Sequence, residues 1–303
     1  MSTPALIAAD WGTTNFRLFL YDQDGNVIAR HAANIGLKNL GVLSFEQALQ
    51  SVLKAEFAGH EHLPVLLSGM VGSRQGWVEA PYAACPASLE TLVKGLVKAP
   101  SERFDVSIVP GLYAESPGTG LLNVMRGEET QIFGLLQQEK ADGFFILPGT
   151  HCKWALIRDE KVQSFSTHMT GEMFQVLKTH SILGALMNND RPDDEAFLLG
   201  VERGMYNRAL LSLLFSVRTE ALFNNIKPES LSAYLSGILI GSEVVAELER
   251  HGHSPVRLVG DGMLVDLYEK ALAFAGFKDV TRYDGGRVAE AGLWAIHQLR
   301  SNS

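Results

Sequence analysis

Two short segments of the chain gather the residue types that can hold a phosphate. The first reads Asp10-Trp11-Gly12-Thr13-Thr14-Asn15-Phe16-Arg17 and the second Pro148-Gly149-Thr150-His151-Cys152-Lys153. Apolar runs precede and follow each Gly-Thr pair, and Gly12/Gly149, Thr13/Thr150, Leu20/Ile157 and Asp22/Asp159 fall in register. The same strand–turn–strand unit therefore occurs twice. Such a turn can aim backbone N–H groups and hydroxyls at an anion. Gly12 and Gly149 would admit close approach because no Cβ blocks the phosphate. Thr13, Thr14, Thr150 and His151 would donate hydrogen bonds, and Arg17 and Lys153 begin the strands that follow. Asp10 ends the first apolar run, where it could hold a hydrated magnesium through one carboxylate, waters and phosphate oxygens. The plain structural alternatives are an aspartate that caps its own turn, two ordinary β-turns and two solvated basic residues.

These residues need elements to position them. Leu18–Tyr21 and Val27–Ala29 flank Asp24-Gly25, a hairpin signal. Ser44 with Gln47 three residues later marks a helix start, and the helical pattern runs to about Phe57. Val65-Leu66-Leu67 reads as a buried strand that ends in the glycine-rich stretch Ser68–Trp77. Ligands gather at such strand ends in α/β sheets. Ser107–Gly111 is a further short strand. Val124–Leu136 reads as a helix with Glu128 and Glu129 near its start, where acidic side chains suit the helix dipole. From Gly171 to Gly252 the spacing is helical, with Pro228 at one helix start. Val256–Val259 runs into Gly260-Asp261-Gly262, and a helix follows around Leu264–Phe274. Val280–Tyr283 is a last strand, Asp284-Gly285-Gly286 a turn and Val288–Leu299 a closing helix.

Composition narrows the classes. At 303 residues, 46% hydrophobic and 20% charged, the chain reads as a globular protein of two domains. A net charge of −8 argues against nucleic acid and against anionic membrane surfaces. Two cysteines, Cys85 and Cys152, without a paired spacing argue against a disulfide framework and fit a reducing cytoplasm. No signal peptide and no membrane span is expected. A homodimer is the default assembly.

The order of parts resembles the actin-like ATPase superfamily of sugar kinases, acetate kinases, chaperone ATPases and actin. That resemblance implies an α/β, two-domain actin-like ATPase (ribonuclease H-like) fold with an interdomain nucleotide cleft. It implies domains of residues 1–136, joined by a C-terminal helix 287–303, and 137–286. Asp10–Arg17 would be the phosphate-1 loop, Pro148–Lys153 the phosphate-2 loop, and Gly260, Asp261, Gly262 and Met263 the adenosine site. Within the superfamily, Asp10–Asn15, Ser68–Arg74, Met125–Gln131 and Pro148–Trp154 are similar to the 2-dehydro-3-deoxygalactonate kinases. This implies ATP and Mg2+ as cofactors and phosphorylation of the 6-hydroxyl of a 2-keto-3-deoxy sugar acid. One departure stands out: many relatives begin the phosphate-2 loop with an aspartate, whereas Leu147 and Pro148 carry no carboxylate here.

For such a reaction a carboxylate should accept the hydroxyl proton. Glu128, or else Glu129, is the candidate base, with dipole complementation as the simpler role. The acid group of the substrate would need a cation. Arg74, beside Ser73 and near Trp77, is one candidate and Arg126 the other, since arginine grips carboxylates through two parallel hydrogen bonds. Surface solvation of Arg74 and local packing of Trp77 are the alternatives. Competing functions are a kinase for another sugar or polyol, a chaperone or polymerising ATPase, and a phosphohydrolase.

Overall fold

The computed structural model describes residues 3–116, 120–188, 191–207 and 209–302. Along the chain it runs β1 (Pro4–Trp11), β2 (Phe16–Asp22), β3 (Val27–Ala33), α1 (Phe45–Glu56), β4 (Val65–Ser68), β5 (Ala83–Ala84), α2 (Leu89–Lys94), β6 (Val97–Lys98) and β7 (Val106–Ile108). Then come β8 (Leu112–Glu115), β9 (Leu122–Met125), α3 (Glu128–Gln138), β10 (Gly143–Leu147), β11 (Cys152–Arg158), β12 (Lys161–His168) and α4 (Thr170–His180). The last third holds α5 (Asp194–Tyr206), α6 (Leu210–Leu214), α7 (Ser216–Leu222), α8 (Leu231–His251), β13 (Val256–Val259), α9 (Gly262–Phe274), β14 (Val280–Tyr283) and α10 (Gly285–Ser301). Two compact units result. The first comprises Met1–Asp142, Leu156–Phe165 and Asp284–Ser303, and the second Gly143–Ala155 and Ser166–Tyr283.

The first unit is built on a sheet of order β3-β2-β1-β4-β7-β6. β1 pairs antiparallel with β2 and parallel with β4, so Asp10 lies opposite Arg17 on one side and Ser68 on the other. Alternate residues Ile7, Ala9 and Trp11 turn to a core shared with Ala48, Leu49 and Leu53 of α1. The Ser44 side chain and the Gln47 side chain cap α1 reciprocally. A smaller sheet, β5-β8-β9, precedes α3.

The helical reading of Val124–Met125 is corrected by the structure: these residues are strand, and α3 starts at Glu128. Gly127, with φ of 106°, makes the break, a conformation that costs glycine nothing. Gly285 and Gly286 open α10 instead of forming a separate turn, because the Asp284 side chain accepts from the Arg287 N–H at 2.8 Å and caps the helix.

α3 and α10 pack backbone to backbone. A Cβ on Gly134 would overlap the Val288 carbonyl oxygen, and one on Gly292 the Thr130 carbonyl oxygen. The stacked rings of Tyr21 and Trp294, 5.7 Å apart, and the Tyr21 hydroxyl on the Glu290 carbonyl at 3.0 Å tie α10 to β2.

The second unit takes its strands from a sheet of order β12-β11-β10-β13-β14, parallel across β10, β13 and β14. Its helices meet through the same device: Gly200 and Gly204 of α5 lie against backbone of α8, and Gly237 and Gly241 of α8 against backbone of α5. The stretch Pro228–His251 is apolar and long enough to cross a membrane, yet two-thirds of its apolar window is buried inside the protein. Tyr234, Leu235 and Ile238 lie in a core with Leu213, Val217 and Leu231. It is the central core helix of this unit.

Overpacking a helix contact of this kind costs about 1–3 kcal/mol. Gly134→Ala is therefore expected to lower the unfolding free energy by that amount, measured by urea denaturation. An unchanged midpoint would show that α3 and α10 can separate freely.

Candidate active site

Each unit carries one of the two Gly-Thr turns. In the first unit the turn joins β1 to β2, and its three carbonyls are all engaged from behind. Gly36 N–H donates to Thr14 O at 3.0 Å, Leu37 N–H to Gly12 O at 3.2 Å and Lys38 N–H to Thr13 O at 3.0 Å. Gly36 has to be glycine, since a Cβ there would overlap the Thr14 backbone. Fixing the carbonyls inward leaves the opposite edge of the peptide planes outward. The N–H groups of Thr13 and Thr14 donate to no acceptor among the described residues. A braced loop with unspent donors is the local structure an anion needs.

The carboxylate cluster beside this loop depends on close backbone contacts. Gly69, at φ of 94°, ends β4, and a Cβ there would lie 2.8 Å from Trp11 O and 3.1 Å from Asp10 Oδ1. Gly127 in turn abuts Gly69, its Cβ position 3.4 Å from the Gly69 Cα. The start of α3 is thereby held against the end of β1 and β4. Ser68 Oγ and Thr130 Oγ1, 2.7 Å apart, add a buried side-chain tie.

Three acids meet there in different settings. Burial raises the Asp10 carboxyl pKa, Arg17 opposes the rise, and the charge of Glu128 adds to it. Glu128 is half-buried and accepts from the Arg126 N–H at 3.0 Å. Glu129 is fully buried, accepts from the Gly127 N–H through both oxygens at 2.9 and 2.7 Å, and is raised to about 8, chiefly by desolvation and then by Glu128. Both α3 glutamates therefore fold back onto the backbone just ahead of their own helix. Only Glu128 also keeps part of its side chain exposed.

The remaining first-unit candidates separate clearly. The Arg74 side chain is 87% exposed, with Glu79 at 3.6 Å. Trp77 stacks on Phe45 at 6.3 Å and donates to the Pro100 carbonyl at 3.1 Å, which is packing. Arg126 is buried, with its guanidinium 4.4 Å from the Tyr82 ring centre and Nη2 donating to Ala80 O at 2.6 Å. Ser73 Oγ is buried without a partner among the described residues.

In the second unit Gly149 stands in open space, and the start of α4 closes on its loop. Glu172 N–H donates to Thr150 O at 2.9 Å, and His151 Nε2 meets Glu172 Oε2 at 2.5 Å. Lys153 is buried and turns its Nζ back to the His151 carbonyl at 3.3 Å. Glu243 of α8, also buried, ties three elements together. It accepts from Trp154 Nε1 at 2.7 Å, from the Tyr268 hydroxyl at 2.8 Å and from Thr170 Oγ1.

Gly260, at φ of 147°, and Asp261 lead into α9, which starts at Gly262. A cavity of about 570 Å³ opens beside that start, lined by Phe174, Ser232, Ser236, Ile240, Met263 and Leu267 among others. Its size and mainly apolar wall suit a planar heteroaromatic group. Of the four residues expected at an adenosine site, Met263 lines the cavity.

Sequence reasoning did not single out Gly36, Gly69 or Thr130. Gly69 carried a usable signal, a glycine directly after a buried strand. Gly36 and Thr130 act through contacts distant in sequence and carried none.

The whole chain shares its fold with the activator of 2-hydroxyisocaproyl-CoA dehydratase from Clostridium difficile, solved with bound ADPNP. The TM-score is 0.55 at 12% identity, over 100% of this chain and 97% of that one. The fold class is thus the two-domain actin-like ATPase fold. The family model described as 2-keto-3-deoxy-galactonokinase matches residues 10–296. The 2-dehydro-3-deoxygalactonokinase of Escherichia coli (strain K12) is 34% identical over 305 residues, 99% of this chain and 100% of that protein. A protein of Rhizobium meliloti (strain 1021) named as a probable 2-dehydro-3-deoxygalactonokinase is 38% identical over 302 residues, 97% of each. A crystal structure from Sinorhizobium meliloti, assigned to the same enzyme, has a TM-score of 0.88 at 35% identity over 97% of this chain and 96% of that one. The chain belongs to the 2-keto-3-deoxy-galactonokinase family and is a kinase, a transferase to an alcohol group.

The raised Glu129 pKa sets a pH signature. Its folded value, about 8, lies above its unfolded value near 4.5. The associated stability is fully present below about pH 4.5 and is lost as pH rises toward 8. Glu129→Gln, which resembles the protonated acid, should gain on the wild type by roughly 1 kcal/mol per pH unit across that window. Denaturation at pH 5.5, 6.5 and 7.5 checks this, and a constant difference would mean that Glu129 ionises normally.

Proposed function

We propose that the protein transfers the γ-phosphoryl group of ATP to the 6-hydroxyl of 2-dehydro-3-deoxy-D-galactonate, giving the 6-phosphate in galactonate catabolism. Family membership supports the substrate. The observation that carries the chemistry is the braced Gly12–Asn15 loop with unspent Thr13 and Thr14 N–H groups beside Asp10 and Glu128.

Phosphoryl transfer asks a protein for positioning and charge neutralisation. Thr13 and Thr14 hold phosphate oxygens through N–H and hydroxyl groups, and Arg17 adds positive charge. Glu128 receives the proton of the 6-hydroxyl as the O6–P bond forms and the bond from phosphorus to the β,γ-bridging oxygen breaks, with ADP leaving. Glu129, buried and largely neutral near pH 7, keeps the start of α3 in place. Gly149, Thr150 and His151 contact phosphate from the second unit's turn, with Lys153 stiffening that turn from within. Gly260, Asp261, Gly262 and Met263 border the ribose and adenine, with adenine in the 570 Å³ cavity.

Asp10 would hold the Mg2+, since a cation relieves the charge that Glu128 imposes on it. No group of three or more His, Cys, Asp or Glu side chains suited to a metal occurs among the described residues. A magnesium with one or two protein carboxylates fits that count. When bound, it neutralises phosphate charge. We place the reaction in the cytoplasm, where ATP is supplied and the unpaired Cys85 and Cys152 stay reduced, and we take a homodimer as the working assembly.

The first test is ADP release with Mg-ATP across sugars, polyols and sugar acids. Turnover confined to 2-dehydro-3-deoxygalactonate is expected; ADP release without acceptor would make the protein an ATPase, and preference for a neutral sugar would move the substrate class. Glu128→Gln should fold as the wild type and lose at least ~100-fold in kcat. Wild-type turnover in that variant would remove Glu128 from the mechanism. Asp10→Asn should raise the Mg2+ concentration for half-maximal rate several-fold, read by a metal titration at saturating ATP.

A further inference from the structure

Arg126 is the one buried cation in the first unit whose hydrogen-bonding capacity is mostly unspent among the described residues. The residue is 8% exposed, and Nε and Nη1 are buried without a partner. Its one neutral acceptor, Ala80 O, takes a single N–H from Nη2 at 2.6 Å. Nη2 carries two N–H groups, one beside Nε and one beside Nη1. Whichever one Ala80 takes, the other completes a two-donor edge with a nitrogen that is itself unpartnered. The guanidinium therefore keeps one full fork available.

Everything around it fixes that fork in place. The Tyr82 ring lies against the guanidinium at 4.4 Å, a cation–π contact that holds the plane without using a donor. Gly72 leaves room for it: a Cβ there would stand 2.9 Å from Nη1 and 2.8 Å from the Ile108 Cγ2. Ser73, the next residue, holds a second orphaned donor, its buried Oγ. Arg126 directly precedes Gly127 and Glu128, and its own backbone N–H donates to Glu128 Oε2 at 3.0 Å. Glu129 lies near Arg126, but its oxygens are spent on Gly127 N–H and Thr130.

A buried guanidinium with an open fork is costly unless an anion completes it. A planar anion with two oxygens matches a fork in both charge and geometry. We propose that Arg126, with Ser73, is the specificity-determining site for the carboxylate of the acceptor, and that Arg74 is not. This inference rests on the kinase reading above and deepens it: it states which residue makes the enzyme prefer an acid over a neutral sugar. Entry takes a small shift of the Tyr82 ring or of the Gly72-Ser73 backbone, because the two nitrogens are covered.

The test compares 2-dehydro-3-deoxygalactonate with its neutral analogue, the 3-deoxyhexulose in which a hydroxymethyl group replaces the carboxylate. For wild type, Arg126→Gln, Arg126→Lys and Arg74→Gln, kcat/KM is measured on both, with thermal melting as the check on folding. The acid-over-neutral preference of the wild type should fall at least ~30-fold in Arg126→Gln, mainly through KM for the acid, while kcat/KM for the neutral analogue changes less than about threefold. Arg126→Lys should recover part of the preference, because it keeps the charge and loses the fork. A preference that survives in Arg126→Gln, or that disappears in Arg74→Gln instead, overturns the inference and leaves the kinase reading intact. A wild type that turns over the acid no better than the neutral analogue removes the acid-kinase reading and this inference with it. Should Arg126→Gln fail to fold, Ser73→Ala with Tyr82→Leu decides: both must weaken the acid selectively, and equal effects on acid and neutral substrates overturn the proposal.

Discussion

The site depends on a forced proximity of like charges. Two carboxylates, Asp10 and Glu128, act on each other at the ends of different elements, and a third, Glu129, is buried behind them. Carboxylates left to themselves would separate into water. They are held together because glycine lets backbone lie against backbone where the elements meet. Gly69 lies against Trp11 O and the Asp10 side chain, and Gly127 lies against Gly69. The cost of crowding negative charge is met by packing elsewhere, in the Ile7, Ala9 and Trp11 face of the sheet and in the α3–α10 contact. Sites that gather charge in this way have a standing affinity for cations and for groups that take up a proton.

The two Gly-Thr turns, alike in sequence, are stiffened by different means. The first is braced by amides of residues 36–38 that consume its carbonyls. The second is closed by the start of α4, through Glu172 N–H on Thr150 O and Gly171 against Gly149. In both cases the carbonyl side of the loop is occupied by protein. A duplicated turn can thus preserve its outward face while the support behind it is unrelated. That is expected when the ligand contacts one face and the fold contacts the other.

Much of this was legible in the sequence. The Gly-Thr repeat, the capping of α1 by Ser44 and Gln47, and the strand Val65–Ser68 all follow from local spacing. The actin-like fold followed from the order of motifs. What stayed hidden lies in contacts distant along the chain. Gly36 is unremarked in sequence because its partner is Thr14, and Thr130 because its partner is Ser68. The small β5-β8-β9 sheet was missed because its strands are only two to four residues long. The two arginines near the glycine-rich stretch were indistinguishable by sequence. Only burial separates Arg74, out in solvent beside Glu79, from Arg126 beneath Tyr82.

The contact between Gly292 and the Thr130 carbonyl has a consequence for how the protein is made. Thr130 sits in the first turn of α3, one residue from Glu129, and Gly292 lies in the last helix of the chain. On the ribosome, α3 emerges long before α10, and its packing surface stays uncovered until residues 285–301 leave the exit tunnel. Closing so long a loop is entropically slow relative to local helix formation. The carboxylate cluster therefore gains this support only once α10 has emerged. Removing α10 from Gly292 onward would strip support from the cluster without touching a residue that belongs to it.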